Sequence, residues 1–361
     1  MSPAELRRWL LETALPFWLE HGVAWQQGSF IEELHQADLR ARAAFRRLRV
    51  AARQVYVFAE GARLGVARSA EARDLGLAWL RAARQPDGGY PSRFDLANRP
   101  LDEGRDLYDH AFVLFAFAKA GARADAMALL TYLQAHFRHP LGGWRESLPD
   151  ALPRRQNPHM HLLEAVLAAH EAFGDKVWLE IADELVTLFL DRLYQPLEGA
   201  LAEYFTDDLK PLREEGCYRL EPGHHHEWVW LLAWHRRRSG AAGRPARETT
   251  VAAAALLAFA ERHGVDADGE IAAELWSDGR PASAVTRIWP YTERLKALAV
   301  AGDAGRIQAG CAALGRCLAH PVAGLWHERR GAAGFEPNVA APASSLYHIA
   351  CAILEISEER L

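Results

Sequence analysis

The chain has 361 residues, 50% of them hydrophobic and 25% charged, enough to bury a sizeable core, which excludes a disordered tail or a small stapled domain. Lys and Arg number 42 against 47 Asp and Glu, a formal net charge of -5, and the arginines are scattered, which argues against a nucleic-acid partner. Residues 1–20 interleave Glu5, Arg7, Arg8 and Glu12 with Leu and Trp, so neither a signal peptide nor a membrane span is expected and the protein reads as soluble and cytoplasmic.

Helical periodicity, with apolar residues at i, i+3 and i+4, predicts twelve helices: 3–20, 38–65, 69–85, 104–121, 122–137, 156–174, 175–194, 224–240, 245–263, 284–300, 303–319 and 342–357. A glycine followed closely by an apolar residue recurs at Gly28, Gly89, Gly143, Gly199, Gly269 and Gly324, at separations of 61, 54, 56, 70 and 55 residues. Pro158, Pro222, Pro290 and Pro342 stand at helix starts, where a missing N–H costs nothing. Alternating Val, Ile and Thr are nearly absent, which limits sheets to short hairpins near the glycine turns. Six helix pairs, with polar residues on the members that follow the glycines, predict an all-α fold. The expected form is a single (α/α)6 barrel over 1–361, favoured over an open solenoid.

Several side chains could carry chemistry. Cys217, Cys311, Cys317 and Cys351 show neither a CxxC pair nor zinc spacing and read as reduced thiols. Asn157 and His161 share a helix face, whereas His159 and His161 diverge by about 200° and do not form a metal pair. His224 and Glu227 share a face at the start of another helix, where the positive end of the dipole disfavours protonation and predicts a neutral general base. His226-Glu227 is not continued to HExxH. His348 lies within the first two turns of the last helix. Trp289 offers a face to a sugar and Glu293 an acceptor for its hydroxyls, with packing, or pairing to Arg294 or Lys296, as the alternative. Tyr108 also lies near a helix start. All these residues sit near the N-termini of alternate helices, which meet at one mouth in a barrel; Arg53 is the exception, lying mid-helix if its helix begins at Asp38. Arg154 and Arg155 are candidates to receive a phosphate or sulfonate. No GxxxxGK loop is present, so nucleotide binding is not indicated.

These positions fall in six ordered motifs: ARQVY (52–56), DLYDHAF (106–112), NPHMHLLEA (157–165), EPGHHHEW (221–228), RIWPYTERLKA (287–297) and SSLYH (344–348). Over nearly its whole length the chain thereby resembles the N-acylglucosamine 2-epimerase superfamily, and within it the bacterial mannose isomerase-like branch. The resemblance implies an (α/α)6 barrel and a small sugar substrate, with no cofactor and no metal. It implies acid/base histidines at His224 and His348, and sugar-binding residues at Arg53, Tyr108, Asn157, His161, Glu227 and Trp289. The implied reaction interconverts D-mannose, or a close relative, and D-fructose. His224 assists ring opening, His348 removes the C2 proton and Arg53 steadies the enediolate. Returning the proton to C2 from the opposite face would instead make a 2-epimerase of mannose and glucose or of N-acyl hexosamines. His110 and Tyr291 depart from the family pattern, where Gln is common, which leaves substrate preference open. Readings from other classes are an (α/α)6 glycosidase, with Glu227 and Glu293 as its two carboxylates roughly 5–10 Å apart, and a non-catalytic sugar-binding barrel.

Overall fold

In the computed structural model, which describes residues 1–283, 285–337 and 339–357, the repeat turns form as their sequence dictates. Gly28 and Gly199 adopt φ of 62° and 66°, the left-handed region open to glycine. Around them Val23–Ala24 pairs with Ser29–Phe30, and Tyr194–Gln195 with Ala200–Leu201. No strand among the described residues exceeds three residues.

Twelve helices follow. α1 spans 3–21, α-helical over Pro3–Arg8 and Leu15–His21 with a π-helical Trp9–Ala14 between them. Then come α2 (Leu48–Arg63), α3 (Ser69–Ala83), α4 (Leu107–Lys119), α5 (Arg123–His136), α6 (Asn157–Phe173) and α7 (Lys176–Leu188). They continue as α8 (Pro222–Ala241), α9 (Thr250–His263), α10 (Trp289–Ala301), α11 (Ala304–Leu318) and α12 (Ala343–Ser357). The even-numbered helices pack each on the next, and α12 returns to α2, closing an inner ring. The odd-numbered helices form the outer ring, α1 lying against α12.

The sequence explains which helices lie inside. α4 and α12 bury apolar residues all round, the mark of a helix surrounded by protein, and each fully buried Leu or Phe contributes roughly 1.5–3 kcal/mol. The ring is latched where its ends meet. Ala341–Pro342 pairs with Glu33–Leu34, and the Trp18 indole stacks on Trp326 at 5.3 Å while donating to the Gly324 carbonyl. Among the described residues no helix is long and apolar enough to cross a membrane.

Three helix starts differ from the sequence reading by five residues or more, and of these the helix expected over 245–263 begins at Thr250. The helix expected over 38–65 begins at Leu48. Upstream, Leu39 takes φ 56°, and Phe45–Arg47 is an extended strand paired with Arg93–Asp95. The Arg47 N–H goes to Glu32 and the Leu48 N–H to the Ser92 carbonyl. Tertiary hydrogen bonds thus override the helix propensity of an Ala- and Arg-rich run. The helix expected over 284–300 begins at Trp289; residue 284, like 358–361 of the 1–361 barrel, lies outside the described residues.

Candidate active site

At the end of the ring where the inner helices begin lies a cavity of about 190 Å³. Its walls carry Arg53, Tyr108, Asn157, His161, His224, Glu227, Trp289 and His348, so a single space gathers residues from all six inner helices. Starting α2 at Leu48 brings Arg53 into its second turn and so to the same mouth. Glu221, Arg287, Ser344 and Ser345 complete the lining.

Glu293 is different. It is fully buried behind His348, accepting from Nδ1 at 2.8 Å through Oε1 and pairing with Lys296 at 2.6 Å through Oε2. It therefore faces a histidine and a lysine, not sugar hydroxyls. Glu293 is not among the residues that line the cavity, so the glycosidase reading lacks its second carboxylate there. Arg154 is likewise buried, held by Glu146 and the Trp144 carbonyl, and only Arg155 reaches the mouth.

The two imidazoles sit in opposite electrostatic settings. His348 is driven far below the ordinary imidazole value by burial, and then by the cations Arg53 and Lys296, so its ring is neutral. With Nδ1 held by Glu293, Nε2 is the nitrogen left for the cavity. For His224 burial also favours the neutral ring, but Glu203, Glu221 and Glu227 outweigh it and raise the value to about 10. The expectation of a neutral His224 is therefore overturned: the acidic groups around it, Glu203 foremost, outweigh burial and the helix dipole, and the ring is cationic at neutral pH. His224 Nδ1 donates to Glu203 at 2.9 Å, and the Asn157 amide meets Nε2 at 3.1 Å. Asn157 Oδ1 is without a partner, and a half-turn of that amide places it to accept from the protonated ring. Asn157 is not an N-cap; Gln156 precedes the helix and Asn157 reaches across to His224.

Trp289 joins the two, its ring 5.0 Å from His224 and 5.8 Å from His348. Gly223 makes this possible, since a Cβ there would come within 2.4 Å of the indole.

Other polar groups in the cavity lack partners. Arg53 lies against the Phe112 and Tyr347 rings and donates to Tyr108 Oη at 2.7 Å, but its buried Nε is unpaired. Both Glu227 oxygens lack a hydrogen-bond partner, His161 Nδ1 standing 3.8 Å from Oε1, and burial together with Glu293 holds that carboxyl well above the carboxylate range. Buried polar atoms without partners are costly in a folded protein, so the cavity is built to receive hydroxyls. His161, held by Glu164 at 2.9 Å, is kept neutral by burial at about 4.

His110 and Tyr291 prove remote from the cavity. His110, His159 and His225 stand at equivalent places in α4, α6 and α8, each accepting at Nε2 from a backbone N–H just after a glycine turn: Tyr90, Trp144 and Leu201. Tyr291 occupies the corresponding place in α10 and donates to Glu270 beside the Gly269 turn. These four side chains pin the turns to the inner ring.

Sequence reasoning missed Glu203 and Glu221 as partners of His224, although Glu203 is one of the carboxylates that follow the glycine turns. It also missed Arg287, Ser344 and Ser345, which lie inside the motifs. Two groups have ligand atoms within 4.8 Å of one another, close enough for a metal ion: His161, Glu164 and Glu227, and Glu203, Glu221 and His224. In both, the imidazole Nδ1 is already engaged by a carboxylate.

Comparison with known proteins follows this geometry. The family model for N-acylglucosamine 2-epimerase (GlcNAc 2-epimerase) matches residues 28–352. A protein of Rhizobium meliloti (strain 1021) named mannose-6-phosphate isomerase is 37% identical over 99% of this chain and 97% of its own length. The solved structure of a D-mannose isomerase superposes with a TM-score of 0.84 at 21% identity, over 98% of this chain and 97% of that one. The cellobiose 2-epimerase of Spirochaeta thermophila DSM 6192 gives 0.86 at 20% identity, over 98% and 95%.

Proposed function

The chain belongs to the N-acylglucosamine 2-epimerase family of sugar isomerases and epimerases, and from that premise we propose that it is an aldose–ketose isomerase interconverting a mannose-type hexose and the corresponding fructose. The observation that carries the reading is the pair of imidazoles in one cavity, a neutral His348 and a cationic His224. Oppositely shifted groups of this kind divide the acid and base roles at neutral pH.

His224 lies where it can deliver a proton to the ring oxygen and take one from the anomeric hydroxyl as the sugar opens, with Glu203 holding its position. His348 Nε2 then takes the proton from C2, and the C2–H electrons form the enediolate double bond as the carbonyl oxygen becomes an oxyanion. Arg53, whose Nε is unpaired, lies where it can stabilise that charge, worth several kcal/mol in a site closed to water. Transfer of the proton from His348 to C1, with the O2 hydroxyl proton passing to the O1 oxyanion, places the carbonyl at C2 and gives the ketose. Each acid/base group contributes typically ~10²–10⁴ in rate. No step requires a metal.

The Rhizobium meliloti relative and the D-mannose isomerase are named for mannose, as its 6-phosphate or free, which supports mannose as the hexose. The second reading, 2-epimerisation, is favoured by a specific feature. A proton-bearing His224 stands in the same cavity as the base, able to return a proton to C2 instead of C1. Incubation with D-mannose in D₂O, followed by NMR, decides. Fructose is expected, with deuterium at C1 only to the extent that the proton on His348 exchanges with solvent before transfer; glucose deuterated at C2 would assign the epimerase, and unchanged mannose would sink the reading for the free sugar.

A further inference from the structure

Above the catalytic cavity the mouth widens into a space of about 320 Å³ lined by five arginines: Arg47, Arg49, Arg53, Arg155 and Arg287. The two spaces share Arg53, Tyr108, Asn157, Glu221, Arg287 and Ser344 and are continuous. The carboxylates that pair with the rim arginines stand behind them and are the less exposed partner each time: 31% against 3% for Arg47 and Glu32, 31% against 1% for Arg49 and Asp109, 36% against 24% for Arg155 and Asp106, and 47% against 3% for Arg287 and Glu328. Each contact occupies only part of a guanidinium's five donors. The acids thus hold the planar forks in place, and the forks present their remaining N–H groups to the mouth.

We propose that this mouth seats a terminal phosphate, so that the substrate is a phosphorylated hexose whose reacting end lies between His224 and His348. The inference rests on the isomerase reading and narrows its substrate class. Hydroxyls of a neutral hexose require no ring of cations, whereas phosphate matches guanidinium geometry through paired, charge-assisted hydrogen bonds. The two acids on the same wall offer little opposition. Glu203 is engaged by His224 and Gln156, and burial raises Glu221 to about 7. Arg53 belongs to both spaces, so one sugar can be held at its carbonyl end and its far end together.

The test compares kcat/KM for D-mannose and D-mannose 6-phosphate in the native protein and in Arg155→Gln and Arg47→Gln, arginines that line the mouth but not the catalytic cavity. The phosphorylated sugar should be preferred. Each substitution should lower its kcat/KM by about ten- to a hundred-fold, mainly through KM, and bring the ratio between the two sugars toward one. Inorganic phosphate should compete with the phosphorylated sugar in the native protein and much less in the variants. Equal turnover of the two sugars by the native protein, or equal losses on both in the variants, overturns the proposal; so does preference for a 6-sulfonate over the phosphate. If neither sugar turns over, calorimetry with D-mannitol 6-phosphate separates the two ideas: arginine-dependent binding keeps the phosphate seat and removes the isomerase reading, and lack of binding removes the seat.

Discussion

Glu293 accepts from His348 Nδ1 at 2.8 Å, fixing which nitrogen of that ring is available to the substrate. The same carboxylate is neutralised from below by Lys296, which is fully buried with its Nζ 3.7 Å from the centre of the Trp230 ring. His348, Glu293 and Lys296 form a chain of contacts running from the cavity into the core.

Glu293→Gln should keep the packing but weaken control of the tautomer and basicity of His348. A fall of about 10²-fold in kcat with little change in KM is expected. Lys296→Met should instead act on folding, because it strands a buried carboxylate, at a cost of roughly 3–5 kcal/mol. Combining the two substitutions should restore much of the lost stability but not the activity, as denaturant unfolding and steady-state kinetics would show.

The raised value of His224 places its loss of a proton on the alkaline side. kcat should hold through neutral pH and fall as His224 deprotonates near about 10. Glu203→Gln removes the nearest negative charge, which lowers the value and should move that alkaline limb toward neutrality. A limb that stays in place would assign it to another group.

Gly223→Ala is a one-methyl test of how the two histidines are joined. The added Cβ meets the Trp289 ring at 2.4 Å, so the indole must move and both imidazoles lose a packing surface. A fall in kcat/KM of at least ten-fold is expected, with a Tm change small beside it because Trp289 is only partly buried.

Acid should weaken the fold before it protonates the surface carboxylates. Burial holds His110, His159, His161 and His225 at about 4, while the unfolded chain takes up those protons near about 6.5. Between these values the unfolded state binds more protons, so stability is present above about 6.5 and is lost as pH falls toward about 4. Tm measured against pH should show this decline, with a shallower slope in His225→Gln, whose amide can still accept from the Leu201 N–H.

The proposed chemistry uses no metal, so prolonged chelation followed by gel filtration should leave turnover intact. Loss of activity restored by one divalent ion would redirect attention to Glu203, Glu221 and His224, whose ligand atoms lie within 4.8 Å of one another.

Much of the fold was legible in the chain. The six glycine turns recur with the repeat, and helices of period 3.6 fill the intervals, so the twelve elements and their alternation follow from local conformational preference. The false start at residue 38 shows where local reading stops. Ala- and Arg-rich residues favour helix, but the hydrogen bonds from Arg47 to Glu32 and from Leu48 to the Ser92 carbonyl come from segments 15 and 44 residues away. Motif order likewise located His224, His348, Asn157 and Arg53.

By itself the sequence determined the repeat, the inner wall and the residue types gathered at the mouth, because backbone propensity and apolar periodicity act over a few residues. Only the tertiary structure decided what each side chain does there. It set Glu293 behind His348 and not against a sugar, made His224 a cation through Glu203 and the acids beside it, and turned His110 and Tyr291 to the glycine turns. Charge and hydrogen bonding act through space, and those neighbours come from different helices and loops.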